Sequence, residues 1–118
     1  METPINMCFY GSLKTGHYNN PKSEGVQTTG KIVDLVGFNM YSLGAYPYIR
    51  KTPTNNSIKV EMFKVSQEDF EWIDRMEQGA HYTREVVDIE GTKHYIYVMK
   101  PNYCVEDRHP VESGNWEQ

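Results

Sequence analysis

No run in this 118-residue chain approaches the roughly 20 consecutive apolar residues that a membrane-spanning helix needs. The first residues also lack the charged and apolar regions of a secretory leader. Basic residues are sparse, 12 Lys and Arg against 16 Asp and Glu, and they are scattered as singles. With a net charge of −4, no cluster is able to displace counterions from a phosphate backbone, which argues against a nucleic-acid partner. Cysteine is scarce too. Cys8 and Cys104 make no disulfide framework, and no CxxC pair occurs. His17, His81, His94 and His109 lack the spacing of metal ligands. The expectation is a reduced, cytoplasmic protein with no metal, no cofactor, no membrane and no nucleic acid. Oligomeric state is not legible.

What the chain has is aromatic surface and short strands. Aromatics make up 13% of it, including nine Tyr, so ring-lined core and pocket walls are expected. Its length suits one domain, residues 1–118. Ile5 to Tyr10 is a β-branched and aromatic run closed by Gly11, the pattern of a buried strand, with Cys8 a small core residue. His17 to Gly25 is a polar loop. Val26 to Tyr41 divides into two strands around Asp34 to Gly37. Leu43 to Tyr48 (LGAYPY) is broken by Gly and Pro yet apolar, the character of a cavity-lining segment. Thr52 to Ser57 is a turn, and Ile58 to Val65 alternates as a strand. Ser66, with Asp69 three residues on, caps a helix, and Gly79 is its expected stop. Tyr82 to Ile89 and Lys93 to Met99 form a hairpin across Glu90-Gly91-Thr92. Residues 101–118 are polar and irregular, with Trp116 the large anchor. Six or seven short strands and one convincing helix imply an α+β domain on a small, partly closed, mostly antiparallel barrel.

Two segments carry chemistry. On a helical wheel with Phe70 at zero, Ile73 falls near about −60° and Glu77 near about −20°, while Glu68, Glu71 and Arg75 lie opposite. Glu77 therefore sits on the face that packs against the sheet. A desolvated carboxylate binds its proton more tightly and becomes a general base near neutral pH. The bland alternative is a last-turn side chain that reaches water past a frayed end. The second segment is Tyr10-Gly11-Ser12-Leu13-Lys14-Thr15-Gly16, where a strand runs into a Gly-Ser turn rich in donors. It reads either as an ordinary strand end or as a ligand loop offering backbone N–H groups. Tyr10, Tyr46, Tyr48 and Tyr82, taken singly, read first as core aromatics, with a place in a pocket wall as the other reading.

These residues resemble the γ-glutamylcyclotransferase-like (AIG2-like) family. Tyr10 to Leu13, with Gly16 and Asn19, is similar to its Y-G-[ST]-L-x-x-G-x-x-N opening. Gly37 to Pro47 (GFNMYSLGAYP) is similar to G-x-x-L-Y-x-x-G-x-Y-P. Ile73 to Glu77, with Tyr82 and Arg84, resembles L-D-x-x-E…Y-x-R, and Pro110 to Trp116 (PVESGNW) resembles the closing S-G-D-W. Two departures stand out. Val60 occupies a position where the family often has Gly, just before Glu61, and the spacing from Glu77 to Tyr82, which includes His81, is slightly long. His81 is left to enter the pocket or face solvent. The resemblance implies a small mixed barrel with short helices and a cofactor-independent cyclisation of a γ-glutamyl group that releases 5-oxoproline and an amine or amino acid. It implies Glu77 as the catalytic acid/base and Tyr10, Gly11, Ser12, Leu13, Tyr46 and Tyr82 as substrate-binding residues. In that reaction the turn holds the substrate carboxylate or the developing oxyanion. The alternative is a non-catalytic module that uses the same pocket to bind a small molecule or regulate a partner.

Overall fold

The structure is a computed structural model that describes residues 3–11, 14, 25–44, 47–100 and 109–116. Among them are seven strands and one helix. In chain order these are β1 (Ile5–Phe9), β2 (Val26–Val36), β3 (Phe38–Ser42), β4 (Pro47–Lys51), β5 (Ser57–Val65), α1 (Gln67–Gly79), β6 (Tyr82–Ile89) and β7 (Thr92–Met99). Ser12, Leu13 and Tyr46, the loop 15–24 and Cys104 lie outside the described residues.

The main sheet has the order β2-β5-β1-β7-β6, and β3-β4 form a second, two-stranded sheet. β1 is its middle strand, antiparallel to β5 and parallel to β7. All other pairs are antiparallel. β2 and β6 are not paired with each other among the described residues, so the hydrogen-bonded sheet stays open while the β3–β4 hairpin packs over β5 and β7. β2 pairs with β5 in one register as far as Thr28, opposite Phe63, and in a shifted one from Ile32, opposite Glu61. Gly30, at φ +78°, allows this bulge, because a left-handed residue interrupts the ladder without a Cβ penalty.

Alternation along β1 sends its side chains to two cores. Cys8 and Tyr10 join Phe38, Met40, Ile49, Val60, Ile96 and Trp116, whereas Met7 and Phe9 join Tyr48, Phe63, Ile73, Tyr82, Tyr97 and Met99. Cys8 is buried as expected, and its apolar surroundings push the thiol up to about 12. Val60, fully buried, fills space in the first core where a glycine would leave a gap.

Helix α1 docks on the second core. Ser66 is its N-cap, and its hydroxyl oxygen accepts from the Asp69 backbone N–H at 3.2 Å. That hydroxyl in turn donates to the Asp69 carboxylate at 2.9 Å. Gly25 lies directly against both side chains: a Cβ there would overlap the Asp69 carboxylate and the Ser66 hydroxyl. Ile73 is the helical residue buried completely, with Phe70 half-buried beside it.

Three local features differ from the sequence expectation. Gly79 is the last helical residue rather than the cap: Ala80 is the C-cap, and His81 takes the left-handed conformation at φ +71°. His81 is exposed, and its carbonyl accepts from the Lys100 N–H, tying the helix end to the end of β7. The segment read as irregular through Tyr48 becomes strand at Pro47, a position where proline's missing N–H does no harm. The β6–β7 loop is two residues, Glu90 and Gly91, both at positive φ (54° and 81°), which is the type I′ geometry that matches strand twist.

Candidate active site

Glu77 lies one helical turn beyond Ile73 and is partly buried. Burial pushes its carboxyl up to about 7 from an ordinary 4.5. Water solvates a carboxylate far better than its acid, so removing water favours the protonated form. Glu77 is thus poised to hold or release a proton near neutrality.

Tyr10 and Tyr97 both feel its charge, and Tyr82 lies beside Tyr10. Tyr10, immediately after β1, is buried, and its hydroxyl donates to the Tyr97 carbonyl oxygen at 2.7 Å. Its phenol is held well above its usual range, first by burial and then by the neighbouring Tyr82 and Glu77. Tyr82 opens β6 and donates its hydroxyl proton to the Pro47 carbonyl oxygen at 2.6 Å. Tyr97 on β7 donates to Asp74 Oδ1 at 2.9 Å. Burial raises its phenol pKa, as do the Asp74 hydrogen bond, the charge of Asp74 and that of Glu77, while Arg84 opposes them. The Tyr10 and Tyr97 phenols therefore stay neutral, and all three hydroxyls direct their protons at protein acceptors. Tyr10 supplies ring surface near Glu77, with Tyr82 beside Tyr10.

Gly11 approaches Pro47 from the strand end. A Cβ at Gly11 would stand 2.7 Å from Pro47 Cγ, so only glycine lets the turn approach β4 this closely. The Lys14 backbone N–H donates to the Gly11 carbonyl at 3.0 Å, a β-turn spacing. The geometry thus gathers Glu77, Tyr10, Gly11 and Tyr82 around Pro47 and Tyr97. Ser12, Leu13 and Tyr46 lie outside the described residues.

Sequence reasoning missed the supports. Asp74, one turn before Glu77, accepts from Tyr97 and pairs with Arg84 Nη1 at 3.0 Å, both on Oδ1. The Arg84 guanidinium also lies over the rings of Phe70 (5.1 Å) and Tyr95 (4.9 Å). This cluster ties α1 to β6 and β7 one helical turn before Glu77. Asp74 and Arg84 fall within the quoted family pattern, but nothing in the spacing signalled that they meet over Tyr97. Glu61 is buried in β5 and accepts from the Thr28 hydroxyl at 2.5 Å. Among the described residues, no three His, Cys, Asp or Glu side chains come together as metal ligands, and no helix is long and apolar enough to cross a membrane.

Known proteins share this fold. A curated Vibrio cholerae protein, named "Putative gamma-glutamylcyclotransferase", is 24% identical over 110 residues, 92% of either chain. A mouse AIG2-like protein superposes with a TM-score of 0.78 at 16% identity, covering 98% of this chain and 90% of that one. An uncharacterised Pyrococcus horikoshii protein gives 0.77 at 24% identity, covering 94% and 88%. The model of one family, described as gamma-glutamyl cyclotransferase, AIG2-like, matches residues 7–118. The chain belongs to the γ-glutamyl cyclotransferase, AIG2-like family.

Proposed function

We propose that this protein is a γ-glutamyl cyclotransferase: it cyclises the γ-glutamyl group of a small cytoplasmic substrate, releasing 5-oxoproline and a free amine or amino acid. The observation that carries this reading is the place of Glu77, partly buried one turn beyond Ile73 on α1, its carboxyl raised by burial and its charge felt by Tyr10, the residue that precedes the glycine turn.

The ionised Glu77 takes a proton from the substrate's α-ammonium, leaving a free amine. That nitrogen attacks the γ-carbonyl carbon, a new C–N bond closes a five-membered ring, and the carbonyl oxygen becomes an oxyanion. Both reacting groups belong to one glutamyl unit, so closure avoids the entropy loss of a bimolecular encounter. Collapse of the intermediate breaks the original amide C–N bond as Glu77 returns its proton to the departing nitrogen; Glu77 then takes the second proton from the ring nitrogen and passes it to the freed amine, which leaves as an ammonium. A base near 7 suits these transfers, because it is ionised often enough to accept and acidic enough to give back. The turn of Gly11, Ser12 and Leu13 holds the glutamyl end through backbone N–H groups. Tyr10, Tyr46 and Tyr82 line the pocket with rings.

The test is 5-oxoproline release from a panel of γ-glutamyl amino acids and γ-glutamyl amines, with Glu77→Gln run alongside. Turnover that falls by about 100-fold or more in the variant supports the reading, since removing a general base typically costs 10²–10⁴. Wild-type-like turnover in the variant overturns it. A stoichiometrically bound ligand recovered unchanged identifies a binding module instead.

A further inference from the structure

Lysine is almost never buried unless its ammonium is fully engaged. Lys14 is only 9% exposed, and the reaction above gives it no part. Its Nζ donates to the Trp116 carbonyl oxygen at 2.9 Å and to Asn115 Oδ1 at 3.2 Å. Both acceptors lie about a hundred residues away along the chain, in segment 109–116. Its own backbone N–H closes the turn onto Gly11. One residue therefore ends the glycine turn and grips a distant segment.

That segment is itself fixed. The Gly114 carbonyl accepts from the Lys59 N–H of β5 at 2.7 Å. Gly114, at φ +69°, lies so close to β5 that a Cβ would overlap the Ser57 carbonyl oxygen. The Val111 N–H donates to the Met40 carbonyl of β3 at 2.8 Å, and the Ser42 N–H donates to the His109 carbonyl at 2.8 Å. Trp116 is buried in the same core as Tyr10, although its indole N–H has no hydrogen-bond partner among the described residues. Packing, and not a polar bond of its side chain, holds the indole. Its carbonyl is left to serve the lysine.

We propose that Lys14 is a positioning residue: through Asn115 and Trp116 it latches the Gly11–Lys14 turn to a segment anchored on β3 and β5, and so holds the turn ready for substrate. Fixing Lys14, the described end of the turn, before substrate arrives spares part of the ordering cost on binding. The latch rests on the reading that this turn holds the glutamyl end. It acts on binding, whereas Glu77 acts on the chemical step. Loss of the latch thus raises KM and leaves kcat nearly unchanged, the signature of lost uniform binding.

Three variants test this: Lys14→Met, Lys14→Arg and the milder Asn115→Ala at a half-buried position. For Lys14→Met the expected KM rise is about 10-fold, with kcat within about threefold. Asn115→Ala should shift KM the same way by about threefold, and Lys14→Arg should recover part of the loss by donating to the same carbonyl. Amide hydrogen exchange supplies a readout independent of turnover. In Lys14→Met, exchange should accelerate at Lys14 and at 114–116 by about 10-fold or more, with β6 and β7 unchanged. A wild-type protein that releases no 5-oxoproline defeats the proposed reaction, and the exchange result then decides the latch alone. Unchanged exchange and unchanged KM overturn it. A fall in kcat at constant KM also overturns it, by placing Lys14 in the chemistry. If Lys14→Met does not fold, Asn115→Ala decides by the same two readouts.

Discussion

Replacing Glu77 by Gln should make the protein more stable at pH 8 and leave its stability unchanged at pH 4. The Glu77 carboxyl titrates at about 7 in the folded protein against an ordinary 4.5. Below the lower value the group is protonated in both folded and unfolded chains and costs nothing. Between the two, the folded state binds the proton more tightly, so stability falls as pH rises, and the loss is complete once pH passes about 7. At about 1.4 kcal/mol per pH unit, the full gap corresponds to about 3 kcal/mol. Partial contact of the carboxylate with water reduces this to about 1–3 kcal/mol. A glutamine of the same shape carries no charge and avoids the penalty. For a domain of this size, the gain is about 4–10 °C in Tm. Thermal unfolding followed by circular dichroism at pH 8 and pH 4, on wild type and variant, measures it. A variant less stable than wild type at pH 8, or an equal shift at both pH values, would refute burial as the cause of the raised pKa. The result does not depend on knowing the substrate.

Three further expectations come from the same geometry. The acid limb of kcat/KM for 5-oxoproline release should have an apparent pKa near 7, with about a tenfold loss from the plateau by pH 6; an ordinary carboxylate would lose only a few per cent there. Arg84→Ala removes the Asp74 ion pair and the stacking on Phe70 and Tyr95. It should cost about 1–3 kcal/mol in urea unfolding, and a change under about 0.5 kcal/mol would show the cluster to be decorative. Gly114→Ala sets a Cβ against the Ser57 carbonyl at a backbone angle that alanine resists. A loss of about 2–4 kcal/mol is expected, and a neutral result would mean that segment 109–116 does not press on β5.

The helix and the inward placement of Glu77 were legible because periodicity reports which face of a helix turns inward. Phe70, Ile73 and Glu77 share a stripe, and Ser66 announces the start. Strand count was legible from β-branched runs and Gly punctuation. β4 was not, since Gly44 and Pro47 signal a break, and the ladder begins just where proline still permits one. His81 hid the helix end, because a non-glycine at positive φ leaves no trace in composition. The site's supports were illegible for a different reason. Alternation along β7 says that Tyr97 faces a core; it does not say that its hydroxyl meets Asp74, 23 residues earlier. Nor does any local pattern reveal that Lys14 is buried against residues 101 and 102 positions ahead. Such contacts are consequences of topology, and one sequence read by local pattern does not contain topology.

That topology bears on how the protein is made. β1 precedes every other strand in the chain but is the middle strand of the main sheet. Its partner residues on β5 begin with Val65, opposite Ile5, and on β7 it pairs through Tyr95, opposite Met7. Until β7 exists, one edge of β1 has no ladder, and the face of Met7 and Phe9 lacks the Tyr97 and Met99 that share its core. Closing such long loops before any contact rewards them slows folding and prolongs exposure of an apolar, pairing-competent strand. A chain that has not yet made β7 therefore leaves one edge of an apolar strand unpaired, the kind of edge that invites association with another chain.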